Sequence, residues 1–273
     1  MTTYALIGDQ RVKNSLSPVM FNALFKRLGC DCRYMVYSAD TKDLPHVAEA
    51  LKLGELHGAN VTIPHKEAVI PYLDGLSQRA AEVGAVNTIR FDRGQILGCN
   101  TDVGGFDDLL DRYGMASLPF DVCILGAGGA TRAVLHSVVR RCRGSINVIN
   151  RTYSKSCDLT SRLGGAAIPL EDAAQALETC TLLINTTSVS ERDEASRFLP
   201  MLSDEVRLKK LRVIIDINYG RKANFWRELA AANHAQFVDG LYMLAAQARR
   251  SFFLWTGQKI DIELFLKPLG VNP

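Results

Sequence analysis

Over residues 1–104, apolar positions fall into short runs of strand length, and between these runs they recur at helical spacing. Strands that alternate with helices in this way predict a layered α/β fold. The sequence Asp92-Arg93-Gly94 separates two of the strands and is suited to a hairpin turn. The predicted strands are 4–8, 32–37, 57–61, 86–91 and 95–99, and the predicted helices are 18–28, 43–53, 66–73 and 77–83.

The pattern changes after a predicted helix at 102–113. From there, an apolar strand, a turn and a helix follow one another repeatedly, and the strands are continuously apolar, which is typical of parallel strands buried on both faces. This predicts a Rossmann-type doubly wound domain in residues 105–239. The last apolar stretch, 241–255, has helical spacing, so we expect residues 240–273 to pack back on domain 1–104 and complete it. The predicted Rossmann strands are 121–125, 145–149, 181–185, 212–217 and 236–238.

Composition narrows the possible partners. Of 273 residues, 47% are hydrophobic and 22% charged, as expected for a globular protein. The net charge is only +3 and basic residues are scattered, which argues against a nucleic-acid partner and is compatible with an anionic small substrate. No apolar stretch is long enough for a membrane span, and the first residues do not resemble a signal peptide, so we expect a cytoplasmic protein. Seven cysteines without metal-ligand spacing predict neither a disulfide framework nor a metal site.

A glycine-rich turn follows the strand at 121–125. Gly126 permits a tight turn, and Gly128 lets backbone N–H groups approach a pyrophosphate at the start of a helix. The third glycine of the general dinucleotide fingerprint would fall at Thr131, so the match is partial. The alternative is a strand-to-helix turn without a ligand. The predicted pyrophosphate-binding run is Gly126-Ala127-Gly128-Gly129-Ala130.

The end of the next strand indicates which dinucleotide binds. An NAD site usually has an acidic residue there, which bonds the ribose 2′-hydroxyl. This chain instead has Asn150, Arg151 and Thr152, followed by Lys155. Arg151 can form paired hydrogen bonds with a 2′-phosphate, and Lys155 adds a second positive charge. The alternative is a solvated basic helix start, but cations there oppose the helix dipole, so the pattern favours NADP.

Polar clusters lie where strands or helices of the first domain end, and such ends converge on a crevice in an α/β sheet. Ser15 and Ser17 precede a helix and can donate hydrogen bonds to a carboxylate, although Ser17 could instead be an ordinary N-cap before Pro18. Asn87 and Asn100 could likewise be turn formers. The further clusters are Asn60 to Lys66, Asn87-Thr88 and Asn100-Thr101-Asp102.

Taken in order, these motifs resemble the shikimate dehydrogenase family over nearly the whole chain. Each motif alone is weak, and their order at family-like spacing makes the resemblance specific. The motifs are Ser15-Leu16-Ser17-Pro18, Asn60-Val61-Thr62 with Pro64 and Lys66, Gly84 to Thr88, Asn100-Thr101-Asp102, Gly126 to Ala130, Asn150-Arg151-Thr152, and Gly240-Leu241 through Gln247 to Gly257.

The resemblance implies an N-terminal substrate domain joined to an NADP domain. It implies hydride transfer that interconverts 3-dehydroshikimate and shikimate, a step of chorismate and aromatic amino acid biosynthesis. It also implies that Lys66 and Asp102 are the catalytic pair, since a lysine held by an aspartate can bind the alcohol oxygen and move its proton. Taken alone, Asp102 could be a helix N-cap, and Gln247 could fill a gap in a buried helix. The implied substrate residues are Ser15, Ser17, Thr62, Asn87, Tyr219 and Gln247, and Gly240 joins the cofactor residues.

Three segments depart from the family pattern and leave the substrate open. They are residues 8–14, Val189-Ser190-Glu191-Arg192 and Gly220-Arg221-Lys222. Arg221 and Lys222 could indicate a more anionic ligand. A relative that acts on quinate or another cyclic polyhydroxy acid, or a non-catalytic binding homologue, is therefore an alternative. The sequence leaves open whether the protein is a monomer or a homodimer.

Overall fold

The computed structural model describes residues 1–117, 119–191, 208–221 and 223–271. The chain forms two compact units, Met1–Leu109 with Tyr242–Pro273, and Leu110–Leu241. The division predicted from the sequence, at 104 and 240, lies a few residues away from these limits and stays a prediction. No helix within the described residues is long and apolar enough to cross a membrane.

The first unit is built on a six-stranded sheet of order β2-β1-β3-β5-β6-β4. Strand β1 pairs in parallel with β2 and β3, and β5 runs antiparallel to β3 and β6. The predicted hairpin between β5 and β6 is present, with Arg93 and Gly94 both at positive φ, as a tight two-residue turn requires. The elements are β1 Thr2–Gly8, α1 Ser17–Leu28, β2 Cys32–Ser38, α2 Leu44–Lys52, β3 Gly58–Val61, α3 His65–Ala68, β4 Gly75–Leu76, α4 Gln78–Val83, β5 Thr88–Asp92 and β6 Gln95–Cys99.

One predicted helix of this unit is too long. The helix expected at 66–73 ends at Ala68 and is followed by a 3₁₀ turn, Ile70–Tyr72. Pro71 has no N–H to donate to the carbonyl of Glu67, four residues earlier, so the α-helix cannot continue. The two-residue strand β4 was not predicted, because so short a strand has no detectable period.

The second unit has a six-stranded sheet of order β12-β11-β10-β7-β8-β9, in which every pairing is parallel. This order is that of a Rossmann domain, with the strand order reversing between β7 and β10, and it confirms the predicted fold class. Strand β9 was missed because it is only three residues long and partly exposed. From residue 102 to residue 239 the elements are α5 Asp102–Arg112, β7 Val122–Leu125, α6 Gly129–Arg141, β8 Ile146–Ile149, α7 Tyr153–Leu163, β9 Ala166–Ile168, α8 Ala173–Thr179, β10 Leu182–Asn185, β11 Val213–Asp216, α9 Phe225–Ala232 and β12 Gln236–Asp239.

The C-terminal helices α10, Leu241–Thr256, and α11, Glu263–Leu266, belong to the core of the first unit. Phe252 and Phe265 lie in one hydrophobic cluster with Phe21 of α1. The Trp255 ring lies so close to the backbone at Gly58 that a Cβ there would contact it, and its Nε1 donates to the Ile89 carbonyl at 2.9 Å. The expectation that the C-terminal helices pack back on the first domain is therefore confirmed.

Candidate active site

A lysine and an aspartate meet in the first unit. Lys66 lies on α3 and Asp102 is the first residue of α5, and Lys66 Nζ lies 2.6 Å from Asp102 Oδ2. Their side chains are only 11% and 8% exposed, so the charges are largely removed from water. His65 anchors the start of α3, because its Nε2 lies 2.8 Å from the Ala39 carbonyl and the residue is buried. The buried His65 thus fixes the start of α3, and with it the position of the Lys66 amine beside Asp102.

The hydrogen bonds of Asp102 show what this carboxylate does. Its Oδ2 accepts from Lys66, and its Oδ1 accepts from Asn87 Nδ2 at 2.8 Å. Near the start of α5, the Val103 N–H donates instead to Asn100 Oδ1 at 3.2 Å. Both carboxylate oxygens of Asp102 thus serve side chains, and the reading of Asp102 as a helix N-cap is wrong. Asn100 has that structural role.

The amide of Asn87 is oriented by its neighbours. Its Oδ1 accepts from the Thr101 N–H at 2.7 Å and from the Thr88 hydroxyl at 3.1 Å. The Nδ2 group must then point the other way, where it donates to Asp102 and to Thr101 Oγ1. Asn87 is only 3% exposed, so it is part of a buried network and not a turn former.

The C-terminal helix α10 adds two polar side chains to this network. Gln247 Oε1 lies 3.3 Å from Asn87 Nδ2, and Gln247 Nε2 donates to the Leu244 carbonyl at 2.8 Å. The hydroxyl of Ser251 lies 2.8 Å from that of Thr88 and accepts from Asn60 Nδ2 at 3.0 Å. Sequence reasoning missed Ser251, although its position four residues after Gln247 places both on one helix face.

Ser15 and Ser17, at the start of α1, exchange their expected roles. Helix α1 begins at Ser17, and the Ser15 hydroxyl accepts the Ser17 N–H at 3.2 Å. Ser15 is thus the residue that satisfies a backbone donor, and the reading of Ser17 as the N-cap is wrong. Ser17 is a buried residue, 5% exposed, and its hydroxyl makes no hydrogen bond among the described residues, so it is available to a ligand. Thr62 follows β3 and is partly exposed.

Residues 8–14, which precede these serines and depart from the family pattern, contain an ion pair of their own. Residues Gln10–Asn14 form a 3₁₀ helix, and Arg11 Nε lies 2.9 Å from Asp9 Oδ1. This hydrogen bond lowers the pKa of Asp9. The pair of Asp9 and Arg11 thus stabilises the short segment that leads directly into Ser15.

In the second unit, the glycine-rich turn has the shape of a phosphate cradle. Gly126 has a φ of +114°, and a Cβ there would lie 2.6 Å from Thr186 Oγ1, so only glycine fits. Around the position where Gly128 would carry a Cβ, no heavy atom of the described chain lies within 4 Å. Helix α6 begins at Gly129, next to this open space, and the first N–H groups of a helix have no partner within the helix. These features fit a pyrophosphate.

The departure at Thr131 has a structural explanation. Its buried hydroxyl lies 3.0 Å from the Gly128 N–H and 2.7 Å from Thr186 Oγ1. The Thr186 hydroxyl in turn lies 2.7 Å from the Leu125 carbonyl. The place of a third glycine is therefore filled by a hydroxyl that bonds α6 to the ends of β7 and β10.

The residues after β8 carry uncompensated positive charge. Asn150 Nδ2 donates to the Thr152 carbonyl at 2.9 Å, which shapes the turn into α7. Arg151, Thr152 and Lys155 are exposed, and neither Arg151 nor Lys155 forms an ion pair with any described residue. Two unpaired cations at a helix start fit a doubly charged 2′-phosphate.

Two further predicted residues lie in the second unit. A Cβ at Gly240 would collide with the Ile217 carbonyl, and its N–H donates to the Asn218 carbonyl at 3.0 Å, so this glycine is required by the fold whatever else it does. Tyr219 follows β11 and is partly buried. The cofactor role of Gly240 and the substrate role of Tyr219 stay predictions.

Two segments of this unit that depart from the family pattern are bonded to each other through Glu191 and Arg221. Arg221 Nη1 lies 3.3 Å from Glu191 Oε1, so the charge of Arg221 has a partner within the protein. The preceding residue, Ser190, is buried, and its hydroxyl donates to Asp216 Oδ2 at 3.0 Å. Arg192 and Lys222 lie outside the described residues. The described residues contain no cluster of potential metal ligands.

The chain matches three family models in order. They are described as the shikimate dehydrogenase substrate binding domain over residues 6–89, shikimate/quinate 5-dehydrogenase over 116–239, and the shikimate 5′-dehydrogenase C-terminal domain over 240–267.

Individual relatives are similar over more than nine tenths of their length. The shikimate dehydrogenase (NADP(+)) of Pyrococcus furiosus is 36% identical over 261 residues, which cover 96% of this chain and 92% of that protein. That of Shouchella clausii is 37% identical, with 94% and 93% covered. A crystal structure of the shikimate 5-dehydrogenase of Thermus thermophilus in complex with NADP(H) and shikimate is 32% identical, with a TM-score of 0.82 and 98% of each chain covered.

Proposed function

The chain belongs to the shikimate dehydrogenase family, and we propose on this basis that it is an NADP-dependent oxidoreductase that interconverts 3-dehydroshikimate and shikimate. The observation that carries this proposal is the contact of 2.6 Å between Lys66 Nζ and Asp102 Oδ2. Asp102 is itself oriented by Asn87, whose Nδ2 donates to Asp102 Oδ1 at 2.8 Å. Relatives that bear this activity in their names cover more than nine tenths of the chain.

In this proposal, Lys66 handles the proton of the reaction. The cofactor, when bound, supplies or accepts the hydride. In the reducing direction, the Lys66 ammonium donates a proton to the substrate's carbonyl oxygen as negative charge develops there. In the oxidising direction, the neutral amine takes the proton of the alcohol. Asp102 holds the amine through Oδ2, which lies 2.6 Å from Lys66 Nζ, so the two groups act together.

The remaining polar groups of the first unit would bind the substrate. The Ser17 hydroxyl, together with Ser15 at the start of α1, would donate hydrogen bonds to the carboxylate. Thr62, Asn87 and Gln247 would bond ring hydroxyls, with Tyr219 as a further contact. Asn87 and Gln247 are buried and already hydrogen-bonded within the protein, so a ring hydroxyl would join or replace these hydrogen bonds.

The second unit would hold NADP. The pyrophosphate would lie against the run from Gly126 to Ala130 at the start of α6, and the 2′-phosphate against Arg151 and Lys155, with Asn150 and Thr152 shaping the turn and Gly240 close to the cofactor. The open space at Gly128 and the unpaired cations support this assignment. A cytoplasmic location is part of the same proposal.

Arg151→Ala tests the cofactor assignment. We expect the KM for NADP to rise roughly 10- to 100-fold, because a charged hydrogen bond to the 2′-phosphate is lost, while the KM for NAD changes little. Arg162→Ala, an exposed arginine near the other end of α7, is the matched control and should leave both values unchanged. An equal loss for NADP and NAD would show that Arg151 does not read the 2′-phosphate.

Steady-state kinetics with shikimate and quinate, each against NADP and NAD, test the reaction itself. We expect the highest kcat/KM for shikimate with NADP. Faster turnover of quinate would assign the chain to a quinate-oxidising relative. Stabilisation of the protein by shikimate without any NADPH formation would instead indicate a binding homologue, and either result would overturn the proposal.

A further inference from the structure

A concave region lies in the first unit, and apart from Asn100 and Thr101, which belong to the network beside Asp102, its lining residues have no part in the proposed reaction. It is a cavity of about 490 Å³, bounded by the start of α4, the end of β6 and the C-terminal half of α10. Its volume is in the range of small-molecule sites. No aspartate or glutamate is among its described lining residues, whereas four of them are basic: Arg79, Arg249, Arg250 and Lys259. A concave surface lined by charge of one sign attracts small ions of the opposite sign.

Two of these arginines are held in place by one carboxylate. Asp108 of α5 accepts from Arg250 Nη2 at 2.6 Å and Nε at 3.2 Å, and from Arg249 Nη2 at 3.1 Å. Among the described residues, Arg250 Nη1 and the Nε and Nη1 groups of Arg249 make no hydrogen bond, so both guanidinium groups keep donors for a second anion. Because Asp108 already fixes these side chains, less conformational entropy is lost when a ligand binds.

Helix α5 has a glycine, Gly104, at the position where Arg250 packs against it. A Cβ at Gly104 would lie 2.6 Å from Arg250 Nε and 2.7 Å from its Cζ. Glycine inside a helix costs about 1 kcal/mol relative to alanine. Because Gly104 has no side chain, the Arg250 guanidinium can approach the backbone of α5 closely. The place of Arg250 is thus set by both Gly104 and Asp108.

The other two basic residues carry charge that nothing in the described chain neutralises. Arg79, which is partly buried, and Lys259, which is exposed, form neither an ion pair nor a hydrogen bond with any described residue. Burial raises the pKa of Cys99, a thiol that also lines the cavity, so this group adds no negative charge at neutral pH. With Asp108 shared between two arginines, the cavity keeps a net positive charge.

One wall of the cavity is apolar. Phe253 of α10 is 44% exposed, and it lines the cavity with Leu254 and Ile260. An exposed phenylalanine offers a flat surface on which a ring can stack. The cavity therefore combines donors for an anionic group with an apolar surface of ring size.

We infer that this cavity is a second ligand site, which binds a small carboxylate carrying an apolar ring. The carboxylate is held by the basic side chains, and the ring lies against Phe253. This site is distinct from the substrate site, because none of the side chains assigned to shikimate, such as Ser17, Lys66 and Gln247, lines it. The inference does not depend on the proposed reaction.

Calorimetric titration of the full chain with 3-phenylpropionate tests the site, with neutral 3-phenylpropanamide as the matched probe of the same size. We expect 3-phenylpropionate to bind, the amide to bind roughly tenfold or more weakly because it lacks the charge, and saturating shikimate to leave the binding of 3-phenylpropionate unchanged. No binding, equal binding of acid and amide, or displacement by shikimate would each overturn the inference. Displacement would place the probe in the substrate site.

Two substitutions locate the bound probe. Arg79→Ala should weaken 3-phenylpropionate binding roughly tenfold and leave the Tm of the free protein unchanged, because Arg79 has no partner to lose among the described residues. Arg27→Ala, an exposed arginine of α1, is the control and should change neither quantity. Phe253→Ala should weaken the acid and the amide alike. Unchanged affinity in both Arg79→Ala and Phe253→Ala would contradict the proposed position.

Discussion

Replacing Lys66 by glutamine should lower kcat for shikimate oxidation roughly 10²- to 10⁴-fold, the usual contribution of a general acid or base. Glutamine can still donate a hydrogen bond to Asp102 Oδ2, which Lys66 contacts at 2.6 Å. It cannot transfer a proton, and it carries no charge to stabilise the alkoxide. The substitution therefore removes the proton transfer and the charge of the amine but keeps a hydrogen-bond donor at position 66. Initial rates at saturating shikimate and NADP measure the effect.

The chain offers a matched control for this variant. Lys52 also pairs with an aspartate of the first unit, since its Nζ lies 2.8 Å from Asp74 Oδ1, but it is 47% exposed. Lys52→Gln should leave kcat and KM unchanged. Thermal stabilisation by shikimate should survive in Lys66→Gln, because the serines and amides of the site remain. A Lys66→Gln enzyme with nearly the wild-type kcat would remove this residue from the mechanism.

Replacing Asp216 by alanine should destabilise the second unit by roughly 3–5 kcal/mol, the range seen when a buried charged network is broken. Asp216 is fully buried. Its Oδ1 accepts from Asn185 Nδ2 at 2.9 Å and from the Asn218 N–H at 3.1 Å. Its Oδ2 accepts from Ser190 at 3.0 Å and from Asn224 Nδ2 at 2.8 Å. Without the carboxylate, these donors are left buried and unpaired.

The expected readout is a fall in Tm of roughly 10 °C or more, measured by circular dichroism. Asp216→Asn keeps the side-chain volume but turns one acceptor into a donor, so it should have an intermediate effect. Asp158→Ala, an exposed aspartate of α7, is the control and should change stability by less than about 0.5 kcal/mol. If Asp216→Ala melted at the wild-type temperature, the loops after β10 and β11 would have to be held by other contacts.

One departure from the family pattern, the segment that begins with Val189 and Ser190, lies beside this same carboxylate. Ser190 bonds Asp216 directly, and the Val189 carbonyl accepts from Asn185 Nδ2 at 2.8 Å and from Trp226 Nε1 at 2.8 Å. Val189 and Ser190 are thus part of the buried hydrogen-bond network around Asp216. These two residues therefore have a structural role. Arg221 is paired with Glu191, which argues against reading it as a signal for a more anionic ligand.

Local features of the sequence were enough to predict most elements. The hairpin at Arg93 and Gly94 was predicted because a two-residue turn depends on the φ angles of its own residues. The parallel sheet of the second unit followed from continuously apolar runs and a glycine turn, which are also local. The two short strands, β4 and β9, were missed because two or three residues show no period. The end of α3 could have been placed correctly from Pro71.

The sequence by itself determined the fold class, the glycine cradle and the family, because each rests on patterns within a few neighbouring residues or on their order. Only the tertiary structure decided which polar groups meet. Lys66 and Asp102 are separated by 36 residues, and Asn60 and Ser251 by 191. The structure also showed that the Ser15 hydroxyl accepts the Ser17 N–H, and that Glu191 pairs with Arg221. Hydrogen bonds act over about 3 Å, and which atoms come that close depends on how strands and helices pack, which sequence spacing does not encode.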